Sequence, residues 1–212
     1  MLVRRDRCRV RRAGCGALLL VAVAFGSGTR AADPIRIVFV ARVGNVYDPG
    51  EALREAIKVD DLLRGTITYD PNARNTSPLP TVGRYEHRQA PFGIAIEAGP
   101  FVFQTDPKRV DFPIVLSNDH GVPPRDSFLL TSANNLPLQN GATVSRLSWE
   151  LVDDSLKALD SIRLPIGAPD LDKWTSEFGL TIEGHATVEF VVRAHVIEAM
   201  LCTPEVRCPS PR

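Results

Sequence analysis

Apolar residues recur at every second position through most of the chain after Pro34. A period of two marks a strand with one buried face. In "IRIVFVARV", Ile35, Ile37, Phe39, Ala41 and Val43 share a face. Ile67 and Tyr69 alternate with Thr66 and Thr68. Phe92, Ile94 and Ile96 do the same, and Phe101 and Phe103 resume the alternation after Gly99–Pro100, so 92–105 reads as a hairpin. Val110, Phe112, Ile114 and Leu116 form another face, with Pro113 marking an edge strand or a bulge. Then come Phe128 with Leu130, Leu147 with Trp149 and Leu151, and Phe178 with Leu180 and Ile182. The last run turns Val188, Phe190, Val192, Ala194 and Val196 one way and Glu189, Arg193 and His195 the other.

About nine short strands joined by turns rich in Pro, Gly, Asp and Asn predict an all-β chain with little helix. The expected form is a single β-sandwich with Greek-key or jelly-roll connections. Two stretches carry helical spacing. "DPGEALREAI" offers Asp48 as N-cap, Pro49 at the first position and Leu53, Ala56 and Ile57 on one side. "DLDKWTSEF" has room for one turn. The polar stretch 72–83, with two prolines, reads as a disordered loop. No repeat or composition break divides residues 32–201, which form the predicted domain.

The first residues change the charge picture. Six arginines between positions 4 and 12, the apolar run "AGCGALLLVAVAF" and the small residues of "GSGTRAADP" follow the order of a secretory signal, residues 1–31. The run is too short for a spanning helix, which needs roughly 20 apolar residues. Cys15 opens the run instead of following it, so no lipoprotein signal is formed; Arg11–Arg12 lacks the rest of a twin-arginine motif. Beyond residue 31 there remain 18 Lys and Arg against 24 Asp and Glu. A mildly acidic domain argues against nucleic acid and against an anionic membrane surface. The expected location is secreted, periplasmic or extracellular, with no membrane contact once the signal is gone. Cys202 and Cys208, in the tail 202–212, then predict a disulfide; two free thiols are the other option, and a zinc pair lacks a second Cys or His pair nearby.

Candidate chemistry concentrates in "LSNDHGVPPRDSFLLTSANN", residues 116–135. Asp119, His120 and Asp126 are the residues to mutate if the protein is an enzyme. Against that, Asn118, Asp119 and Gly121 are turn residues, and neighbours on a strand end point apart. G-x-S-x-G, HExxH and the P-loop are all absent. Calcium needs six to eight oxygens. Asp119 and Asp126 are the metal candidates, within a wider set of strand-end carboxylates at Asp70, Asp106, Asp153, Asp154, Asp170 and Asp172. No EF-hand loop is present, so calcium would require convergence of several loops. His87, His120, His185 and His195 read as surface histidines. Trp149 belongs to the core face. Trp174, among charged residues, is the candidate carbohydrate platform or else a cap over one end of the fold, and Tyr47, Tyr69 and Tyr85 are possible helpers.

"GTITYDPN", "GRYEHRQAPFGIAIEAG", "LSNDHGVPPRDSFLLTSANN", "LSWELVDD" and "LPIGAPDLDKWTSEFGLTIEG" occur in that order. Together they resemble a group of uncharacterised exported bacterial β-rich proteins that often carry a PEP-CTERM sorting tail. The resemblance implies a secreted or surface protein associated with exopolysaccharide or matrix, and it implies no reaction. The ending "CTPEVRCPSPR" lacks that tail, which points to release instead of sorting. Three functional expectations follow. The first is an exported non-catalytic protein that binds extracellular polysaccharide or matrix. The second is a secreted hydrolase of polysaccharide or ester. The third is a purely structural surface protein.

Overall fold

The computed structural model describes residues 33–175, 179–185 and 189–202. The predicted signal, Phe178, Val188 and Cys208 lie outside the described residues. Ten strands form: β1 (Ile35–Tyr47), β2 (Leu62–Tyr69), β3 (Val82–His87), β4 (Gly93–Ala98), β5 (Phe101–Gln104), β6 (Phe112–His120), β7 (Arg125–Ser132), β8 (Arg146–Asp153), β9 (Leu180–Gly184) and β10 (Phe190–Leu201). The chain is all-β, and among the described residues its one helical element is a 3₁₀ turn at Leu171–Lys173. No helix among these residues is long and apolar enough to cross a membrane.

The pairing is continuous and antiparallel, in the order β3-β6-β7-β8-β9-β10-β1-β2-β4-β5. β6 through β10 form a meander, β1 returns to lie against β10, and β3 crosses to the far edge. The expected two-layer sandwich is therefore one sheet curled on itself. Rings meet across its inside: Phe39 on β1 lies 5.5 Å from Trp149 on β8, and Phe103 on β5 lies 6.2 Å from Phe190 on β10. The long β1 and β10 make the curl. Their ladder shifts register between Val40 and Ala41 and again between Val43 and Asn45, and bulges bend and twist a strand so that it turns a corner.

The inward face is the one the alternation marks. Ile37, Phe39, Ala41, Val43, Ile67, Tyr69, Ile94, Ile96, Phe112, Ile114, Leu116, Phe128, Leu130, Leu147, Trp149, Leu180, Ile182 and Val192 are all buried. β3 escaped the pattern because its inward residues are Gly83, Tyr85 and His87, which do not read as an apolar series. Pro113 is the second residue of β6, an interior strand, and the bulge lies further on, between Ser117 and His120.

Two loop expectations change. Residues 48–57 are not a helix: Glu51, Arg54 and Glu55 have φ of 54°, 49° and 55°, which right-handed helix forbids. Asp48 still caps, accepting the N–H of Ala52 at 2.8 Å and of Leu53 at 2.7 Å. Leu53 and Ile57 are spaced for burial against the sheet. The 72–83 stretch is tied down. Asn75 pairs with Tyr85 and its Oδ1 accepts the N–H groups of Ser77 and Arg84, both at 2.9 Å.

Candidate functional site

Leaving β8, the chain runs from Asp154 to Trp174 without a strand. Four buried side chains hold it over the sheet. Asp153 accepts the N–H of Ser155 and of Lys157, both at 2.8 Å, the N–H of Ala158 at 3.1 Å and the Ser155 hydroxyl at 2.9 Å. Burial opposes its charge, but these four donors outweigh it and hold the carboxyl below the usual range. Asp126, opposite it across the β7–β8 ladder, accepts the Leu159 N–H at 3.0 Å. Tyr85 donates its hydroxyl to the Ile162 carbonyl at 2.7 Å, and Tyr69 donates to Pro165 at 2.8 Å. Burial pushes both phenols up in pKa, so both remain donors. Gly83 lets this strap approach: a Cβ there would stand 2.4 Å from the Ile162 carbonyl oxygen.

Under the strap lies a cavity of about 650 Å³. Leu116 and Phe128 of the sheet line it from one side, and Leu159, Leu164 and Trp174 of the strap from the other. Its polar lining comes from Lys157, Asp160, Ser161, Arg163, Asp170 and Lys173. Trp174 ends the 3₁₀ turn, donating its backbone N–H to Leu171 at 3.1 Å. It is half-buried against the core and also borders a second depression of about 330 Å³, with Leu151, Asp172, Gly179 and His195. Trp174 thus both caps the core and walls two depressions.

The residues singled out in 116–135 do not converge on a reacting position. Asp119 is exposed, with φ of 51°, and Gly121 at 102° completes the turn. The backbone N–H of Asp119 donates to Asp126 Oδ1 at 3.0 Å. Asn118, with its amide nitrogen turned inward, donates to the same oxygen at 3.3 Å. His120 bonds Thr81 Oγ1 through Nδ1 at 2.9 Å. Asp126 therefore anchors the hairpin with one oxygen and the strap with the other. Among the described residues no group of three or more His, Cys, Asp or Glu is placed to hold a metal ion. The other strand-end carboxylates are dispersed: Asp70 accepts from Asn72, and Asp106 from Lys108 and Arg109.

His87 is a correction to the surface reading. It is buried between the rings of Tyr69, Phe92 and Phe112. Its Nε2 accepts the Asp70 N–H at 3.1 Å, which leaves Nδ1–H to donate to the Phe112 carbonyl at 3.1 Å. Burial first, against weaker hydrogen-bond and charge effects, lowers its pKa. It joins the end of β2 to β3 and β6. His195 is exposed on the outer face of β10. Trp149 is core, and its Nε1 is a buried donor that finds no partner among the described residues. Cys202 is half-buried at the end of β10, its N–H bonded to the Arg36 carbonyl at 2.7 Å.

Sequence reasoning found Trp174 but missed the cations around it. Lys157, Arg163 and Lys173 sit in no motif, and only the path of the strap gathers them. Comparison with protein-family models, with curated proteins and with solved structures returned no match to the chain.

Proposed function

We propose that this chain is an exported, non-catalytic β protein that binds carbohydrate in the groove beneath residues 157–174, in the extracellular matrix or at the cell surface. The observation that carries the reading is the cavity of about 650 Å³ with Trp174 in its wall. That volume falls within the range of small-ligand sites, which combine an apolar lining with a few polar groups. An indole face packs against the C–H face of a sugar ring, while rim groups bond its hydroxyls. A binding role is favoured over hydrolysis because Asp126 is committed to backbone donors and the His120 ring to Thr81. Export rests on the order of basic, apolar and small residues in 1–31, and the matrix on the resemblance noted above. A glycan array probed with wild-type protein and with Trp174→Ala tests the site: wild type is retained on a subset of glycans and the variant is not. Equal retention of the two proteins would remove Trp174 from the reading, and retention of neither would remove carbohydrate. N-terminal sequencing of the expressed protein tests export; a start at Ala32 is expected.

A further inference from the structure

We infer that the groove selects an acidic sugar, a hexuronate unit whose ring lies along Trp174 and whose carboxylate meets Lys157, Arg163 and Lys173; this rests on the carbohydrate reading. Three cations share the lining of one cavity. None of them forms an ion pair among the described residues; Arg42, Arg64 and Arg74 form none either, so what marks the site is that three such cations line one cavity. The rim also carries Asp160 and Asp170. Cations outnumber carboxylates there, reversing the balance of 18 to 24 beyond residue 31. The two buried carboxylates nearest the strap do not offset them by direct pairing: Asp126 and Asp153 turn their oxygens to backbone and hydroxyl donors.

Leu116 and Phe128 give the cavity an apolar side, while Lys157, Arg163 and Lys173 stand exposed at its rim, where their attraction for an anion is strongest at low salt. Arg163 offers a planar fork that fits a carboxylate with two parallel hydrogen bonds. Its charge already reaches the neighbouring Tyr85 phenol, where it works against the effect of burial. A long polyanion such as nucleic acid would meet the acidic remainder of the domain, so the cations suit an anion of single-ring size.

The test is calorimetry on the purified protein with galacturonate and with its methyl ester, which keeps the ring and removes the charge. The acid is expected to bind at least about tenfold tighter at low salt, with the gap shrinking in about 0.5 M NaCl. The double variant Arg163→Gln, Lys173→Gln folds, because both residues are exposed, and it closes the gap between acid and ester. Trp174→Ala weakens both ligands. Equal binding of acid and ester overturns the acidic-sugar inference and leaves the carbohydrate reading standing. Retention of neutral glycans alone on the array does the same, and retention of no glycan at all overturns both.

Discussion

The curled sheet closes in two places, and the two closures use different chemistry. On one side β5 meets the chain leaving β7 through backbone bonds. Thr105 pairs with Asn135, Leu136 N–H donates to Gln104 at 2.9 Å, and Asp106 N–H donates to Asn134 at 2.9 Å. A buried network of Thr105, Ser132 and Asn135 fills the space behind them. On the other side β2 and β3 do not pair. His87 bridges them, and Tyr69, Tyr85, Asp126 and Asp153 suspend the strap. Backbone pairing brings chains to strand spacing and leaves no room between them. Side-chain suspension holds the chain further off, and the cavity of about 650 Å³ lies beneath the suspended strap. It also places titrating groups in the closure.

The largest effect is expected from Asp153→Ala, which strands four donors at once. A loss of roughly 3 kcal/mol, or about 6–12 °C in Tm, should appear in thermal melts. Hydrogen exchange should show the strap amides of Lys157 and Ala158 freed while Leu136 at the other closure stays protected. Loss of protection at both would mean that the two closures are one unit. Thr105→Val strikes the backbone closure. Its Oγ1 accepts the Ile94 N–H at 3.0 Å and lies 2.8 Å from Ser132 Oγ. The expected loss is about 1–2 kcal/mol, because the ladder beside it persists.

Acid reaches the suspended side first, through His87. His87 has a lowered pKa in the fold, so its contribution is complete above the unfolded value near 6.5 and is lost as pH falls below it. Tm should decline as pH falls below about 6.5, and His87→Gln should flatten that decline; an unchanged slope would assign it elsewhere. Asp153 is lowered from 3.8, so the strap should hold until pH falls below that value. The smallest effect is expected from calcium. Excess calcium or chelator should leave Tm unchanged, since the Asp126 and Asp153 oxygens already accept hydrogen bonds; a rise of several degrees with calcium would show that loops converge on the ion.

The strands were legible wherever inward residues are plainly apolar, from Ile37 and Phe39 to Ala194 and Val196. They were illegible at β3, where Tyr85 and His87 face inward beside charged Arg84 and Glu86. Arg84 and Arg88 pair with Glu86, and Arg88 with Asp111, so the charge belongs to the outer face. The same charges led His87 to be read as a surface residue. At 48–57 the spacing of Leu53 and Ile57 is a burial signal that a capped, left-handed turn satisfies as well as a helix does. At the candidate site Trp174 stands out by residue type alone, whereas Asp126 and Asp153 are legible only as strand-end carboxylates and not as the anchors of the strap. Hydrogen-bond partners such as Leu159, more than thirty residues from Asp126, leave no local trace.

By itself the sequence determined the all-β class, the inward face of most strands and the turn at Asp119–Gly121, because side-chain alternation and turn chemistry act over a few residues. Only the tertiary structure decided that the layers are one sheet, that His87 is buried and that Lys157, Arg163 and Lys173 line a cavity with Trp174. Those outcomes depend on where bulges turn β1 and β10 and on which distant backbone donors reach Asp126 and Asp153, and both are set by packing between residues far apart in the chain.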